Sequence, residues 1–479
     1  MRAKRSRSPG APTLGGVIQR SGAILALAAA VAVLAVAAVA SADTPATTNL
    51  GNLQSEPVEW WQRATSFLGI FALAGIGWLL STNRKVIPWR VIGWGIGLQV
   101  AFGVIVLRTD VGRKFFDVMN DAIVGLLGFT KKGTDFVFGD LATKQFTFAI
   151  NVLSTIIFFS SLMAVLYHLG VMERIVMGFS RVMQKTMKTS GAETLSCAIN
   201  IFVGQTEAPL VVKPFIARMT RSELMAVMVG GFANSAGGVM AAYVGLLQAY
   251  FPDIAGHLLA VSIMSAPASL VMAKIMVPET EESETAGQTK FAIEKIDANV
   301  IDAAARGAGE GLQLALNVAA MLLAFIALVA VANYLISVPT QVYNWALGLE
   351  GAKAYAPIAL ETILGYVFSP IAFLMGVEPS ECFKVGSLLG EKTVLNEFVA
   401  YAHLAKDLSE GVQLSHRSVI ICTYALCGFA NFSSIAIQLG GIGVMAPNRR
   451  ADLARLGLRA MIGGTLATCM TAAVAGVLV

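Results

Sequence analysis

Long apolar runs alternate with short charged stretches along almost the whole chain. Phe67–Leu80, Ile92–Leu107, Phe146–Leu169, Leu312–Ile336 and Leu458–Val479 read as spans, and an interrupted one covers His416–Val444. About twenty apolar residues in a helix cross the hydrocarbon core of a bilayer, so the pattern predicts an all-α polytopic membrane protein. Val111–Phe138 instead alternates apolar and polar positions, as does a helix lying along the headgroups. Its Lys114, Lys131 and Lys132, with Arg108 and Arg113, run against the positive-inside trend if this stretch is outside.

Composition agrees with the pattern. The 479 residues are 56% hydrophobic and 14% charged, against roughly a quarter charged in soluble proteins. The net charge of +5 comes from Lys and Arg in short loops between spans, where they set orientation. No nucleic-acid partner is indicated. The five cysteines form no CxxC pair and the four histidines no HExxH pattern, which argues against zinc, a disulfide framework or a metalloenzyme.

The N-terminal MRAKRSRSPGAPTLGGVIQR is basic, Ser21–Val39 is apolar, and Ala40-Ser41-Ala42 resembles a cleavage site. These are the parts of a secretory signal, although the apolar run is long enough for an uncleaved extra span. In either case Asp43–Gln62 is outside. Arg84 and Lys85 then fall inside, and so do Arg174, Arg181, Lys185, Lys188, Lys213, Arg218 and Arg221. The apolar Leu195–Val203 lies between two of these cytoplasmic clusters, so it enters and leaves on one side as a re-entrant hairpin, or forms two spans around a tight turn. Pro278-Glu279-Thr280-Glu281-Glu282-Ser283 opens a segment too charged to cross, expected as a cytoplasmic loop with some helix to about Gly307.

A repeat is visible across the halves. Gly231-Phe232-Ala233-Asn234 recurs as Gly428-Phe429-Ala430-Asn431, each inside an apolar span. Each has a glutamate upstream in apolar surroundings, Glu207 in one half and Glu397 in the other. Transporters built on inverted repeats break helices near the midplane, where freed backbone groups meet substrate and ion. Broken backbone at that depth is tolerated only where it is buried or lines a cavity, and an acid there points to function. For Glu397 an inert ion pair with Lys392, five residues earlier, is the structural alternative.

With these residues on view the chain resembles the concentrative nucleoside transporter family. The resemblance rests on GQTEAPL from Gly204, SAPA from Ser265, PETEES from Pro278, NEFVAY from Asn396, ALCGFANFSS from Ala425 and QLGGIGVMAP from Gln438. It implies eight transmembrane helices, an interfacial helix and two opposed re-entrant hairpins with inverted repeats and broken helices. It also implies a homotrimer in the lipid bilayer and an elevator movement of a transport domain against a scaffold. On this basis 1–42 is the tail with a signal or extra span, and 43–170 holds scaffold spans and the interfacial helix. Residues 171–280 hold the first hairpin, its broken span and the next span; 281–307 is the cytoplasmic loop and 308–345 a scaffold span. Residues 346–479 hold the second hairpin, its broken span and the last span.

The resemblance further implies a secondary active transporter, not an enzyme, that imports nucleosides by symport with a cation through a bacterial inner membrane, both mature termini outside. Gln205, Thr206 and Glu207 match base-facing positions, and Val239 flanks the base. Glu397 matches the ribose-binding glutamate, Asn431 and Ser434 further ribose contacts, and Phe429 an apolar wall. A carboxylate can accept both hydrogen bonds of a vicinal diol. No cofactor is implied beyond the coupling ion. Na+ would sit at the Asn200 side chain, the Val203 carbonyl, Asn234 and the Ser235 carbonyl. The family often carries a hydroxyl at position 234, which leaves H+ open as the coupling ion; an ion channel is the reading outside the transporter class.

Overall fold

The computed structural model describes residues 58–143, 148–287, 297–349, 355, 357–412 and 414–479, and all regular structure among them is helical. The basic tail and the expected signal or extra span at 1–42 lie outside the described residues.

Helices α1 (Trp60–Leu79), α2 (Trp89–Arg108), α3 (Asp110–Phe138) and α4 (Phe148–His168) follow the apolar runs. The expected amphipathic stretch is α3, a single helix of 29 residues capped by the Thr109 hydroxyl, which accepts from Gly112 N. At Gly170, in the left-handed region with φ of 73°, the chain turns into α5 (Val171–Met187), bent 77° from α4.

Two units with the same order of parts follow. The first is α6 (Gly191–Ile199), a reversal at 200–207 and two short helical turns to Ile216, then α7 (Arg221–Ala233), α8 (Gly237–Leu247) and α9 (Ile254–Met276). The second is α12 (Cys382–Val394), a break at 395–396 and α13 (Glu397–Ser409), then α14 (His416–Leu426), α15 (Phe432–Met445) and α16 (Arg450–Leu478). Between them lie α10 (Val300–Ala346) and α11 (Leu360–Leu374). The second tip therefore lies between α12 and α13, and α11 packs along α12.

Local sequence explains the starts and breaks. Ser190 with Glu193, and Thr220 with Glu223, form capping boxes that open α6 and α7. Asn396 and Asn431 cap α13 and α15, accepting from Val399 N and Ser434 N at 2.9 Å each. The first GFAN thus closes α7, with Asn234 as its C-cap, whereas the second follows the end of α14 and its Asn431 opens α15.

Segments 89–108, 221–247, 254–276, 326–346 and 447–478 are long and apolar enough to cross a membrane among the described residues. The expected span over 416–444 divides into halves of 11 and 14 residues, each too short alone. The 47 residues of α10 extend about 70 Å at 1.5 Å per residue, more than twice a hydrocarbon core. It runs beside α4, where Ser161 Oγ donates to the Ala304 carbonyl at 2.8 Å. Its start at Val300 shows that the end of the expected polar loop is helical.

Burial separates two regions. Helices α7, α9 and α16 are buried almost throughout, and small residues such as Gly463 and Gly464 let α16 approach α7 closely. Helices α3 and α10 instead expose large apolar side chains, with Phe136 91%, Leu323 77% and Trp345 83% exposed.

Candidate functional site

The site forms where the two broken spans cross. Ser235, in the break between α7 and α8, accepts a hydrogen bond at Oγ from Gly428 N at 3.0 Å. Gly428 has φ of 109°, and a Cβ there would lie 2.7 Å from the Phe232 carbonyl oxygen. Only glycine permits both the conformation and the close approach.

Glu397 stands at the start of α13, at the second hairpin tip, and is buried. Tyr243 Oη donates to its Oε1 at 3.0 Å and Asn431 Nδ2 to its Oε2 at 3.1 Å. The carboxylate also accepts from its own backbone N–H, and with about two lone-pair positions on each oxygen it keeps acceptor capacity for a ligand hydroxyl. Tyr243 is held by stacking on Tyr401, with ring centroids 4.3 Å apart, and Tyr401 Oη donates to the Thr423 carbonyl at 2.7 Å.

From Asn431 the polar line continues to the first hairpin. Its Oδ1 accepts from Ser434 N, and Ser434 Oγ accepts from Gln205 Nε2 at 3.1 Å. Gln205 Oε1 in turn accepts from Gln438 Nε2 at 3.0 Å. The structure therefore joins four expected residues, Glu397, Asn431, Ser434 and Gln205, in one hydrogen-bonded series across both hairpins. Thr206 and Glu207 stand apart from it; Thr206 Oγ1 donates to Glu207 Oε1 at 3.0 Å, and Glu207 is exposed. Val239 is buried on α8, while Phe429 is half-buried at the α14–α15 break.

The segments that carry the expected ion ligands dock on each other, and a Cβ on Gly230 of α7 would lie 3.3 Å from Asn200 Nδ2. Gly237 N donates to the Phe202 carbonyl at 3.0 Å, which docks the first hairpin tip on the α7–α8 break. Asn200 Nδ2 donates to the Ser196 carbonyl and Asn234 Nδ2 to the Gly230 carbonyl, both at 3.1 Å. Those carbonyls require the nitrogen, so each amide oxygen turns the other way. Asn200 Oδ1 and Asn234 Oδ1 are buried without a hydrogen-bond partner among the described residues. Other buried oxygens share that property, Ser196 Oγ among them. The two amides differ in ending helices whose termini meet, a fit for a hard cation that takes oxygen ligands.

Lys392 does not serve as an inert partner for Glu397. Its ammonium donates to the Ala425 carbonyl at 2.8 Å, the Cys427 carbonyl at 3.3 Å and Thr468 Oγ1 at 3.1 Å.

A family model described as Na+ dependent nucleoside transporter C-terminus matches residues 257–476, and its N-terminal counterpart matches 68–141. A third, described as nucleoside recognition, matches 149–250. Uncharacterized transporter YutK of Bacillus subtilis is 46% identical over 416 residues, covering 86% of this chain and 98% of that protein. The chain belongs to the concentrative nucleoside transporter family. Sodium/nucleoside cotransporter 1 of Mus musculus is 40% identical over 430 residues, 87% of this chain and 64% of that protein. The solved structure of CNTnw in an inward-facing substrate-bound state is 44% identical, with a TM-score of 0.79 over 87% of this chain and 98% of that one. The transporter is thus a multi-pass helical membrane protein of a family whose activity is nucleoside cotransport.

Tyr243 and Gln438 were not anticipated in the transporter's site. Tyr243 lies in the apolar run VMAAYVGLL and contacts Glu397, 154 residues away. Gln438 carries a visible signal, the one amide in α15, within a motif already tied to the family.

Proposed function

We propose that this transporter carries nucleosides into the cell by symport with Na+, binding ribose at Glu397, Asn431 and Ser434 and the base at Gln205, Thr206 and Glu207. Val239 and Phe429 form apolar walls beside the substrate. What carries the reading is the buried Glu397 carboxylate, which is donated to at both oxygens and retains acceptor positions at the crossing of two broken helices. Exposed Glu207 is the base-side partner reached first from outside the series, and Gln438 orients Gln205.

Na+ binds at Asn200, the Val203 carbonyl, Asn234 and the Ser235 carbonyl. In support, the two orphaned oxygens are amide oxygens, which coordinate cations and do not take up a proton at physiological pH. This favours Na+ over H+, and the Asn234 side chain replaces a hydroxyl without losing a ligand oxygen. CNTnw has been solved in inward-facing, outward-facing and intermediate states, which supports an elevator movement here. The exposed apolar faces of α3 and α10 suit lipid and the contacts of a homotrimer. The chain resides in the bacterial inner membrane with both mature termini outside.

Purified protein in liposomes tests this with labelled uridine and adenosine under an imposed Na+ or pH gradient. Accumulation above equilibrium with Na+ alone is expected. Uptake that never exceeds equilibrium under either gradient would sink coupled transport, and accumulation with the pH gradient alone would transfer the coupling to H+.

A further inference from the structure

The direction of the hydrogen-bonded series is decided at its far end, outside the residues assigned to the nucleoside. Gln438 Nε2 donates twice, to the Met228 carbonyl at 3.1 Å and to Gln205 Oε1 at 3.0 Å. A backbone carbonyl only accepts, so a reversed Gln438 amide would set oxygen against oxygen at Met228. Gln438 is 0% exposed, and its Oε1 has no hydrogen-bond partner among the described residues. The amide is therefore held from its nitrogen end alone.

That order passes to Gln205. Its Oε1 must accept, which turns Nε2 toward Ser434 Oγ at 3.1 Å. One N–H and one lone pair of this buried amide remain for a ligand, and they cannot exchange places while Gln438 stands. Ser434 and Gln438 are four residues apart on α15, so one helix face carries both ends of the lock. The first GFAN makes room for it: a Cβ on Gly231 would lie 2.7 Å from Gln438 Nε2 and 2.9 Å from Gln205 Cβ.

We propose that Gln438 is a specificity-determining positioning residue: by locking the Gln205 amide it makes the site distinguish uracil from cytosine. The inference rests on the reading of Gln205 as base-facing. Its chemistry is that of the pyrimidine edge. Uracil offers the O4 acceptor beside an N3–H donor, whereas cytosine offers the N4 amino donor beside an N3 acceptor. A free amide turns over and serves either edge, with donor and acceptor exchanged. A locked amide fits one order, and the other base leaves a buried polar group unpaired.

The test is titration of uridine and of cytidine into full-length protein in nanodiscs at saturating NaCl. Wild type is expected to bind the two with Kd values about tenfold or more apart, the effect of one unpaired buried group. Gln438→Met, similar in length and unable to donate, should bring them within about threefold, chiefly by weakening the preferred nucleoside. A loss of packing alone would weaken both alike and leave the ratio where it was. Gln438→Leu repeats the measurement if Gln438→Met does not fold, and wild type tests the lock without any substitution. Wild-type Kd values within about threefold of each other, or a wild-type ratio preserved in a folded Gln438 variant, would overturn the inference. Gln205→Ala separates the inference from the reading beneath it. If Gln205→Ala collapses the ratio and Gln438→Met keeps it, the lock alone is refuted. If Gln205→Ala binds both nucleosides as wild type does, the base-facing reading of Gln205 falls and the lock with it.

Discussion

The Tyr243 hydroxyl donates to one carboxylate oxygen of Glu397 at 3.0 Å, joining the second half of one broken helix to the tip of the opposite hairpin. Both partners are buried, and the tyrosine ring is fixed by its stack on Tyr401. The carboxylate is thereby aimed before substrate arrives. This relation separates two substitutions. Glu397→Gln removes the charged acceptor and should abolish measurable uridine uptake, while the protein still inserts and assembles. Tyr243→Phe retains the acceptor and loses one bond to a charged group, about 1.5–3 kcal/mol. Its expected effect is a rise in uridine Kd of about tenfold or more. Titration calorimetry on purified protein checks both, and normal transport by Glu397→Gln would refute the assigned ribose contact.

Asn200→Ala deletes one of the two buried amide oxygens without touching the nucleoside series. Na+ affinity should fall at least about tenfold, as it does when support of a metal ligand is removed. Uridine uptake at saturating Na+ should recover most of its rate. An unchanged Na+ activation curve would count against this ion site.

Lys274 and Glu193 form a buried ion pair at 2.7 Å, and Lys274 also reaches Glu279 at 3.2 Å and Ser222 at 3.0 Å. This ties α6, α7, α9 and the PETEES segment together near one end of the first repeat. Lys274→Met leaves the Glu193 charge uncompensated, a loss of about 3–5 kcal/mol. Thermal unfolding should show a large destabilisation, and the double variant Lys274→Met/Glu193→Leu should restore much of it. A double variant no better than the single would show that the pair is not the source.

Gly428→Ala introduces a Cβ 2.7 Å from the Phe232 carbonyl oxygen in a left-handed conformation. The strain is about 1–3 kcal/mol before the overlap is counted. Because the same residue holds the two breaks together through Ser235, transport should fall more than protein yield. Gly440→Ala, where a Cβ meets open space, serves as the control and should behave as wild type.

Much of this architecture was legible in residue order, for reasons that particular residues make plain. Membrane helices announce themselves through long apolar runs, and α2 and α16 follow directly. The paired GFAN motifs located both breaks because Gly and Asn are poor interior helix residues. Pairings across the fold were not legible. Spacing alone set Lys392 five residues from Glu397, but the break at Leu395–Asn396 lies between them and sends the ammonium to α14. Tyr243 is one aromatic in an apolar helix, and no local pattern connects it to a residue 154 positions away. The two glutamates looked equivalent, yet Glu397 is buried at a helix start and Glu207 is exposed on a reversal. Burial depends on which elements fold over the tip, and local sequence does not contain that.

The central claim is that nucleoside and Na+ enter together. Its most direct test is simultaneous measurement of radioactive Na+ and labelled uridine entering proteoliposomes with no imposed gradient of Na+ or protons, driven by uridine alone. The account predicts that uridine draws Na+ inward in a fixed ratio, and that Asn200→Ala weakens this coupling at limiting Na+. Uridine entry with no accompanying Na+, or with proton uptake in its place, would contradict it.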